Sequence, residues 1–302
     1  MNFNIFYSKK IYLALLATSL FTLSCSDDDD NNDNNEPVVM MIDPLDTTEE
    51  IWDYEDGPRG PEFWADLDPD FEACGRGVEQ SPINLVSDTV SLQGATIGEG
   101  EDAITVPTGE LVFNYSTAAV LDAFNNTRTN EFVVEEGSYV MFNGTQFNLA
   151  QFHGHAASEH TLGGEQSPLE LHFVHVSDAN ELLVVGVLIE EGAENENYTS
   201  FWTEENFFTT QTEDVRERAA GTHDLTTLLP IGETLYQYGG SLTTPPCSEG
   251  VNWNVFTESI EMSADQLALF TDIFDNNYRP IQELNDRVVT ESVETETVAT
   301  DI

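Results

Sequence analysis

Apolar and polar residues alternate along much of the middle of this 302-residue chain. Strand signals run through Leu111-Val112-Phe113-Asn114-Tyr115, Glu131-Phe132-Val133-Val134, Ser138–Phe142, Gln146–His155, Leu169–Val176 and Leu182–Ile189. Successive strand side chains point to opposite faces, so these runs predict strands. Asn143-Gly144, between two of them, is a hairpin turn signal. Helical periodicity is weak, and short helices are predicted only near Phe201–Phe208 and from Ala264 to Phe274. No internal repeat is present. The expectation is a mainly β domain: a mostly antiparallel sheet with a few short peripheral helices.

The start of the chain departs from this pattern. Lys9 and Lys10 precede a 13-residue apolar stretch, Ile11–Leu23. That length suits an export signal and is too short for a membrane-spanning helix. Thr22-Leu23-Ser24-Cys25 resembles the site at which a lipoprotein is cleaved and its cysteine lipidated, although Thr22 replaces the usual aliphatic residue. The alternative is plain secretion with Cys25 discarded. Asp27–Asp30 and the Asn/Asp-rich run to Glu36 cannot bury apolar surface and read as a solvated tether. They lack the glycine and ligand spacing of a calcium loop. The run also resembles the acidic surface-export signal of some lipoproteins. The predicted organisation is a signal peptide at 1–24, a tether at 25–47, a single domain at 48–288 and an acidic tail at 289–302. The predicted location is outside the cytoplasm, on a bacterial membrane by a lipid anchor, in the periplasm or at the cell surface.

Charge sharpens the picture. Nine basic residues against 56 acidic ones leave a formal charge of −47. Loss of residues 1–24 removes two lysines and no acid, which gives −49 and leaves arginine as the only basic residue type apart from histidine. Such a surface excludes nucleic acid as a partner and keeps the protein soluble by self-repulsion. With Cys25 lipidated, Cys74 and Cys247 remain as a pair. An exported chain meets an oxidising compartment, so a disulfide is expected, with two buried thiols as the alternative.

Five of the six histidines fall between positions 153 and 175. In Gln151-Phe152-His153-Gly154-His155, alternation puts Gln151, His153 and His155 on one face. In Glu170-Leu171-His172-Phe173-Val174-His175 it groups Glu170, His172 and Val174. If the two strands are neighbours, His153, His155 and His172 converge. Three imidazoles without a thiolate suit Zn²⁺ with an open fourth position, the pattern of a catalytic site. Imidazole also accepts Cu, Ni or Co, so spacing alone does not fix the metal. Gln151 and Glu170 are placed to accept the other ring N–H of a ligand. A zinc-free His-x-His site of cupin type is the alternative. Glu159 is a carboxylate close in sequence to these histidines, or else a simple surface acid. His160 and His175 fall outside the ligand faces and read as structural.

These motifs, with Ser158-Glu159-His160-Thr161 and Ser241-Leu242-Thr243-Thr244-Pro245-Pro246-Cys247, resemble the alpha carbonic anhydrases of bacterial type. The resemblance extends through Trp52-Asp53-Tyr54, Gly60-Pro61-Glu62-Phe63-Trp64, Gln80-Ser81-Pro82-Ile83-Asn84, Val251-Asn252-Trp253, and Asn277-Tyr278-Arg279-Pro280 with Gln282. It covers about residues 51–287. It implies a single domain around a large twisted, mostly antiparallel sheet, and it supports the Cys74–Cys247 pair.

It further implies reversible hydration of CO2 to bicarbonate and a proton. Zinc lowers the pKa of its bound water to about 7, a figure for which carbonic anhydrase is itself the reference case. Thr243 then accepts a hydrogen bond from the hydroxide and donates to Glu159, which as a carboxylate only accepts. Val174, Val184, Leu242, Val251 and Trp253 are expected to wall the CO2 site, and Thr244 to contact bicarbonate. Tyr54 and Asn126 are expected to hold ordered water. Arg128 stands where fast relatives carry a proton-shuttling histidine, 25 residues before His153. Two rival functions are a non-catalytic binding module on the same fold and an esterase.

Overall fold

The computed structural model describes residues 51–87, 90–92, 96–97, 104–105, 109, 111–207, 217–292 and 296–297. The export signal, Cys25 and the tether lie outside the described residues. All described residues belong to one compact unit, Pro37–Ile302.

The predicted runs become strands. Leu111–Asn114, Asn130–Val134, Tyr139–Phe142, Thr145–His155, Leu169–Ser177 and Leu182–Glu191 all form within one sheet, which has 14 strands among the described residues. Its longest path runs Glu217–Arg218, Leu121–Asn125, Asn130–Val134, Thr145–His155, Leu169–Ser177, Leu182–Glu191, Glu249–Phe256, Leu235–Ser241, Val289–Ser292 and Val90–Leu92. Most neighbours are antiparallel. Leu182–Glu191 pairs in parallel with Glu249–Phe256, and Val289–Ser292 with Val90–Leu92. The Asn143-Gly144 turn joins strands that pair Phe142 with Thr145, and its φ angles are 50° and 81°. Positive φ at both central residues is the hairpin geometry that Asn-Gly favours.

The sheet separates two apolar clusters. On one face, Phe113, Phe132, Phe152, Leu171, Phe173, Leu183, Val185 and Val187 form the main core. On the other, Val184, Val251, Trp253, Tyr238 and Ile83 form a second cluster, with Val174 and Leu242 packed on it. Leu182–Glu191 is apolar at successive positions because both of its faces are covered. Gly154 sits between two histidines on the main-core face. A Cβ there would stand 3.0 Å from the Phe270 ring, so the glycine lets that ring close on the strand.

Of the two predicted helices, one forms. Ala264–Thr271 starts with a capping box between Ser263 and Gln266 and buries Leu267 and Phe270. The predicted helix near Phe201–Phe208 does not form among the described residues, and turns run through 196–206. Tyr198, Phe201 and Trp202 have helical spacing, and Trp202 N donates to Tyr198 O as one helical turn would. Core packing of all three rings then takes over from helix extension. The acidic segment from 289, expected to be a tail, begins as a strand. Val289 and Thr290 are buried and Glu291 stays partly exposed, so two β-branched residues held between Leu235–Ser241 and Val90–Leu92 outweigh the local charge.

Cys74 and Cys247 form the expected disulfide, with Cα atoms 5.0 Å apart, packed among Trp52 and Trp64. No helix among the described residues is long and apolar enough to cross a membrane.

Candidate metal centre and active site

The two histidine strands are antiparallel neighbours. Their register pairs His155 with Glu170, His153 with His172 and Gln151 with Val174. This meets the condition set by the sequence. The ring centroids of His153, His155 and His172 stand 5.1, 5.4 and 4.6 Å apart pairwise. One ring nitrogen from each lies within 4.8 Å of the others.

Hydrogen bonding decides which nitrogens remain. His153 Nδ1–H donates to Gln151 Oε1 at 2.8 Å. His155 Nδ1–H donates to the carbonyl of Asn277 at 2.7 Å. His172 Nε2–H donates to Glu170 Oε1 at 2.9 Å. Each ring thus uses one nitrogen to fix its orientation and keeps a lone pair on the other. His155 Nε2 is buried with no hydrogen-bond partner among the described residues. An orphaned buried nitrogen is costly unless something else binds it. Three such lone pairs, each braced from behind, fit a metal ion of Zn²⁺ type.

Electrostatics keeps the first two rings neutral. Burial pushes His153 well below its ordinary pKa, and repulsion from His155 and His172 adds to it. Burial also lowers His155, against the pull of Glu159. Burial opposes charge on His172 too, but the Glu170 carboxylate wins and raises it. Protons therefore compete with a metal chiefly at His172.

A second cluster, His160, Glu170 and His172, also brings three metal-capable groups together. It is already saturated. Glu170 accepts from His172 Nε2, from His160 Nδ1 at 2.7 Å, and from the backbone N–H groups of Glu159 and His160 at 2.8 Å each. Burial would raise the Glu170 carboxyl, yet these rings hold it well below the usual carboxylate range. His160 Nε2 meets the Tyr238 hydroxyl at 2.6 Å, which continues to Ser81 Oγ at 2.9 Å. His160 is thus structural, as its position outside the ligand face suggested. His175, bonded to the Tyr115 hydroxyl at 2.7 Å and to Leu183 O at 3.2 Å, is likewise.

Glu159 is buried rather than a surface acid. Its Oε1 accepts from Arg279 N at 2.8 Å and lies 3.5 Å from His155 Nδ1. Its Oε2 lies 3.9 Å from His172 Nδ1 and has no hydrogen-bond partner among the described residues. Thr243 is buried in the 242–248 loop, which is closed by Leu242 N–H donating to Ser248 O at 3.0 Å and Cys247 N–H to Thr244 O at 2.8 Å. Thr244 is half-buried beside it.

The five proposed wall residues gather in the second apolar cluster. The register aligns Val174, Val184 and Trp253 across three strands. The Trp253 ring stands 4.8 Å from that of His172, so the cluster adjoins the histidines. Tyr54 packs edge-on against Trp52 and Trp64; burial pushes its hydroxyl well above its usual pKa, and Glu159 adds to this. Asn126 Oδ1 accepts from the backbone N–H of Arg128 and Thr129, so this oxygen builds the 126–129 turn. Arg128 stacks over Trp52, its guanidinium carbon 4.0 Å from the ring centroid. Asn277 is a site residue to which the sequence assigned no role. It lies 122 positions from His155, beyond the reach of local spacing.

The model of the eukaryotic-type carbonic anhydrase family matches residues 59–293. A carbonic anhydrase from Nostoc sp. is 37% identical over 243 residues, covering 80% of this chain and 86% of the relative. One from Pectobacterium carotovorum is 36% identical over 239 residues, covering 79% and 89%. Among solved structures, the alpha carbonic anhydrase of Thermovibrio ammonificans with the inhibitor sulfanilamide superposes with TM-score 0.69 at 36% identity, covering 79% of this chain and 98% of that one. Dioscorin complexed with ascorbate reaches 0.69 at 29%, covering 80% and 98%. The chain belongs to the alpha carbonic anhydrase family, an enzyme family.

Proposed function

We propose that this protein catalyses the reversible hydration of CO2 to bicarbonate and a proton, with Zn²⁺ held by His153 Nε2, His155 Nε2 and His172 Nδ1. The observation that carries this reading is the hydrogen-bond pattern of the three rings, each braced through one nitrogen and open at the other. When bound, zinc supplies a water acidified to a pKa of about 7, carbonic anhydrase being the reference case for that figure.

The chain's own residues supply the rest. A carboxylate at Glu159 can only accept, so the Thr243 hydroxyl would donate to its open Oε2 once the nucleophile is in place. The lone pairs of the Thr243 oxygen would then be left to orient the nucleophile, and its backbone N–H would meet a substrate oxygen. Val174, Val184, Leu242, Val251 and Trp253 give apolar CO2 a dry wall beside the histidines. Thr244 contacts bicarbonate, and Tyr54 and Asn126 hold ordered water. All three ligands and both orienting residues are present, which favours an enzyme over a binding module.

The apolar wall favours CO2 over a polar ester. Metal analysis with parallel CO2-hydration and ester-hydrolysis assays tests the reading. One zinc per chain and fast hydration are expected. Full hydration by metal-free protein would overturn it, and so would ester cleavage outpacing hydration. The Cys74–Cys247 disulfide fits an oxidising, extracytoplasmic compartment. Lipidation at Cys25 would hold the protein at the membrane, and Cys25→Ser should release it from the membrane fraction.

A further inference from the structure

Arg279 is among the largest fully buried side chains, 1% exposed. It is also a cation whose hydrogen bonds all go to neutral oxygens. Nη1 donates to Gln80 Oε1 at 2.9 Å and to Ser81 O at 2.8 Å, and Nη2 donates to Cys74 O at 2.7 Å. Burial lowers its pKa to about 10, against the pull of Glu159 and Tyr54, so it stays charged at neutral pH. Burying an arginine for packing alone is expensive, because its charge must be desolvated.

Its place in the chain gives a reason for that cost. The three residues 277–279 touch the candidate site twice. Asn277 O accepts from His155 Nδ1, and Arg279 N donates to Glu159 Oε1. Asn277 also bonds through its side chain to Ala156 N, Gly154 O and Arg128 O. From behind, the guanidinium ties the same segment to three points on 74–81, beside the disulfide.

We propose that the Arg279 side chain is a positioning residue: it pins the 277–279 backbone so that His155 and Glu159 are held at once, one for the metal and the other for Thr243. This rests on the functional reading above. It has two consequences. Loosening the pin should weaken zinc binding through His155, and should slow hydration through Glu159 and Thr243.

The test uses Arg279→Lys, which keeps the charge and loses the fork. Zinc affinity is measured by chelator competition, and kcat/KM for CO2 is measured at saturating zinc well below the melting temperature. Losing a group that braces a metal ligand costs about 10–100-fold in affinity or activity, and a loss of at least about tenfold is expected in each. In a Thr243→Ala background, Arg279→Lys should cost little further in kcat/KM, because both act along one path. Gln80→Leu removes one of the three anchors and should move both quantities in the same direction by less. It serves if Arg279→Lys does not fold. Wild-type zinc affinity and kcat/KM in a folded variant, with only the melting temperature lowered, would overturn the proposal. Full additivity with Thr243→Ala would do the same. Zinc affinity is read without catalysis, so a wild-type chain that binds zinc and hydrates no CO2 would sink the functional reading alone.

Discussion

His172 and His175 sit three residues apart on the same strand, both buried, yet they differ in what their rings have left to offer. His175 spends Nε2 on the Tyr115 hydroxyl and Nδ1 on the Leu183 carbonyl, inside the main core. His172 spends only Nε2, on Glu170, and turns Nδ1 toward His153 and His155. Burial drives His175 down to a pKa of about 3, whereas Glu170 raises His172 against the same effect. Burial therefore does not tell these two rings apart; the spare lone pair of His172, facing two other histidines, does.

The comparison breaks most directly by substitution. His172→Ala should abolish both zinc binding and hydration, because one of three ligands is gone. His175→Gln should keep one zinc per chain and near-normal kcat/KM at low temperature. Zinc content and initial rates on the two variants decide this. Loss of zinc from His175→Gln would erase the distinction.

A smaller effect is expected at the open side of His172. Thr243→Ala should keep the zinc, since no ring is touched, yet lose about 10² to 10³ in hydration rate, the usual cost of one aimed hydrogen bond. A rate unchanged from wild type would remove Thr243, and with it the free Oε2 of Glu159, from the proposed mechanism.

His175 should announce itself through pH. Folded, its ring stays neutral down to about pH 3, while the unfolded chain takes up the proton near 6.5. The unfolded state thus binds more protons in between, and stability is full above about pH 6.5 and lost as pH falls. Between pH 6.5 and 5 this group alone removes about 2 kcal/mol. His153 and His155 are lowered and act in the same sense, while His172 is raised and opposes them. Denaturant unfolding of zinc-free wild type and His175→Gln at the two pH values isolates the His175 share. An identical pH slope in both would show that His175 is charged in the fold.

Much of this was legible because it is local. Alternation placed the strands within a residue or two at most ends, and it put Gln151, His153 and His155 on one face before any neighbour was known. What alternation could not give is partnership between strands. The contacts of Asn277 with His155 and of Arg279 with Glu159 span 122 and 120 positions. Both residues stand in a motif of the family resemblance, but nothing in the motif gives them these roles, since one contact uses a backbone carbonyl and the other a backbone N–H. The failed helix near Phe201 has the opposite cause. Its spacing is truly helical, but Tyr198, Phe201 and Trp202 all pack into the main core, and tertiary contact outweighs local propensity. The strand at Val289 is masked in the sequence by the acids around it, although its β-branched pair fills a place between two strands of the sheet.

The most conditional expected effect concerns proton traffic, and it appears only in weak buffer. Hydration releases a proton that must leave the site. Arg128, at the position where a titrating histidine would serve, stays charged at any ordinary pH and lies over Trp52. It cannot accept and pass on a proton. A site acid of pKa about 7 has a dissociation constant of about 10⁻⁷ M, and recombination is limited to about 10¹⁰ M⁻¹s⁻¹. Their product caps direct release to water at about 10³ s⁻¹, against about 10⁶ s⁻¹ in fast carbonic anhydrases, the reference case for that rate. The expected result is a kcat that climbs with the concentration of a small buffer such as imidazole, while kcat/KM for CO2 stays level because it reports steps before release. Arg128→His should raise kcat in dilute buffer and leave kcat/KM alone. The alternative carrier is Glu131, paired with His153 across the neighbouring strand, or another group near the mouth of the site. A wild-type kcat near the fast limit in dilute buffer would assign the task to such a group and remove Arg128 as the bottleneck.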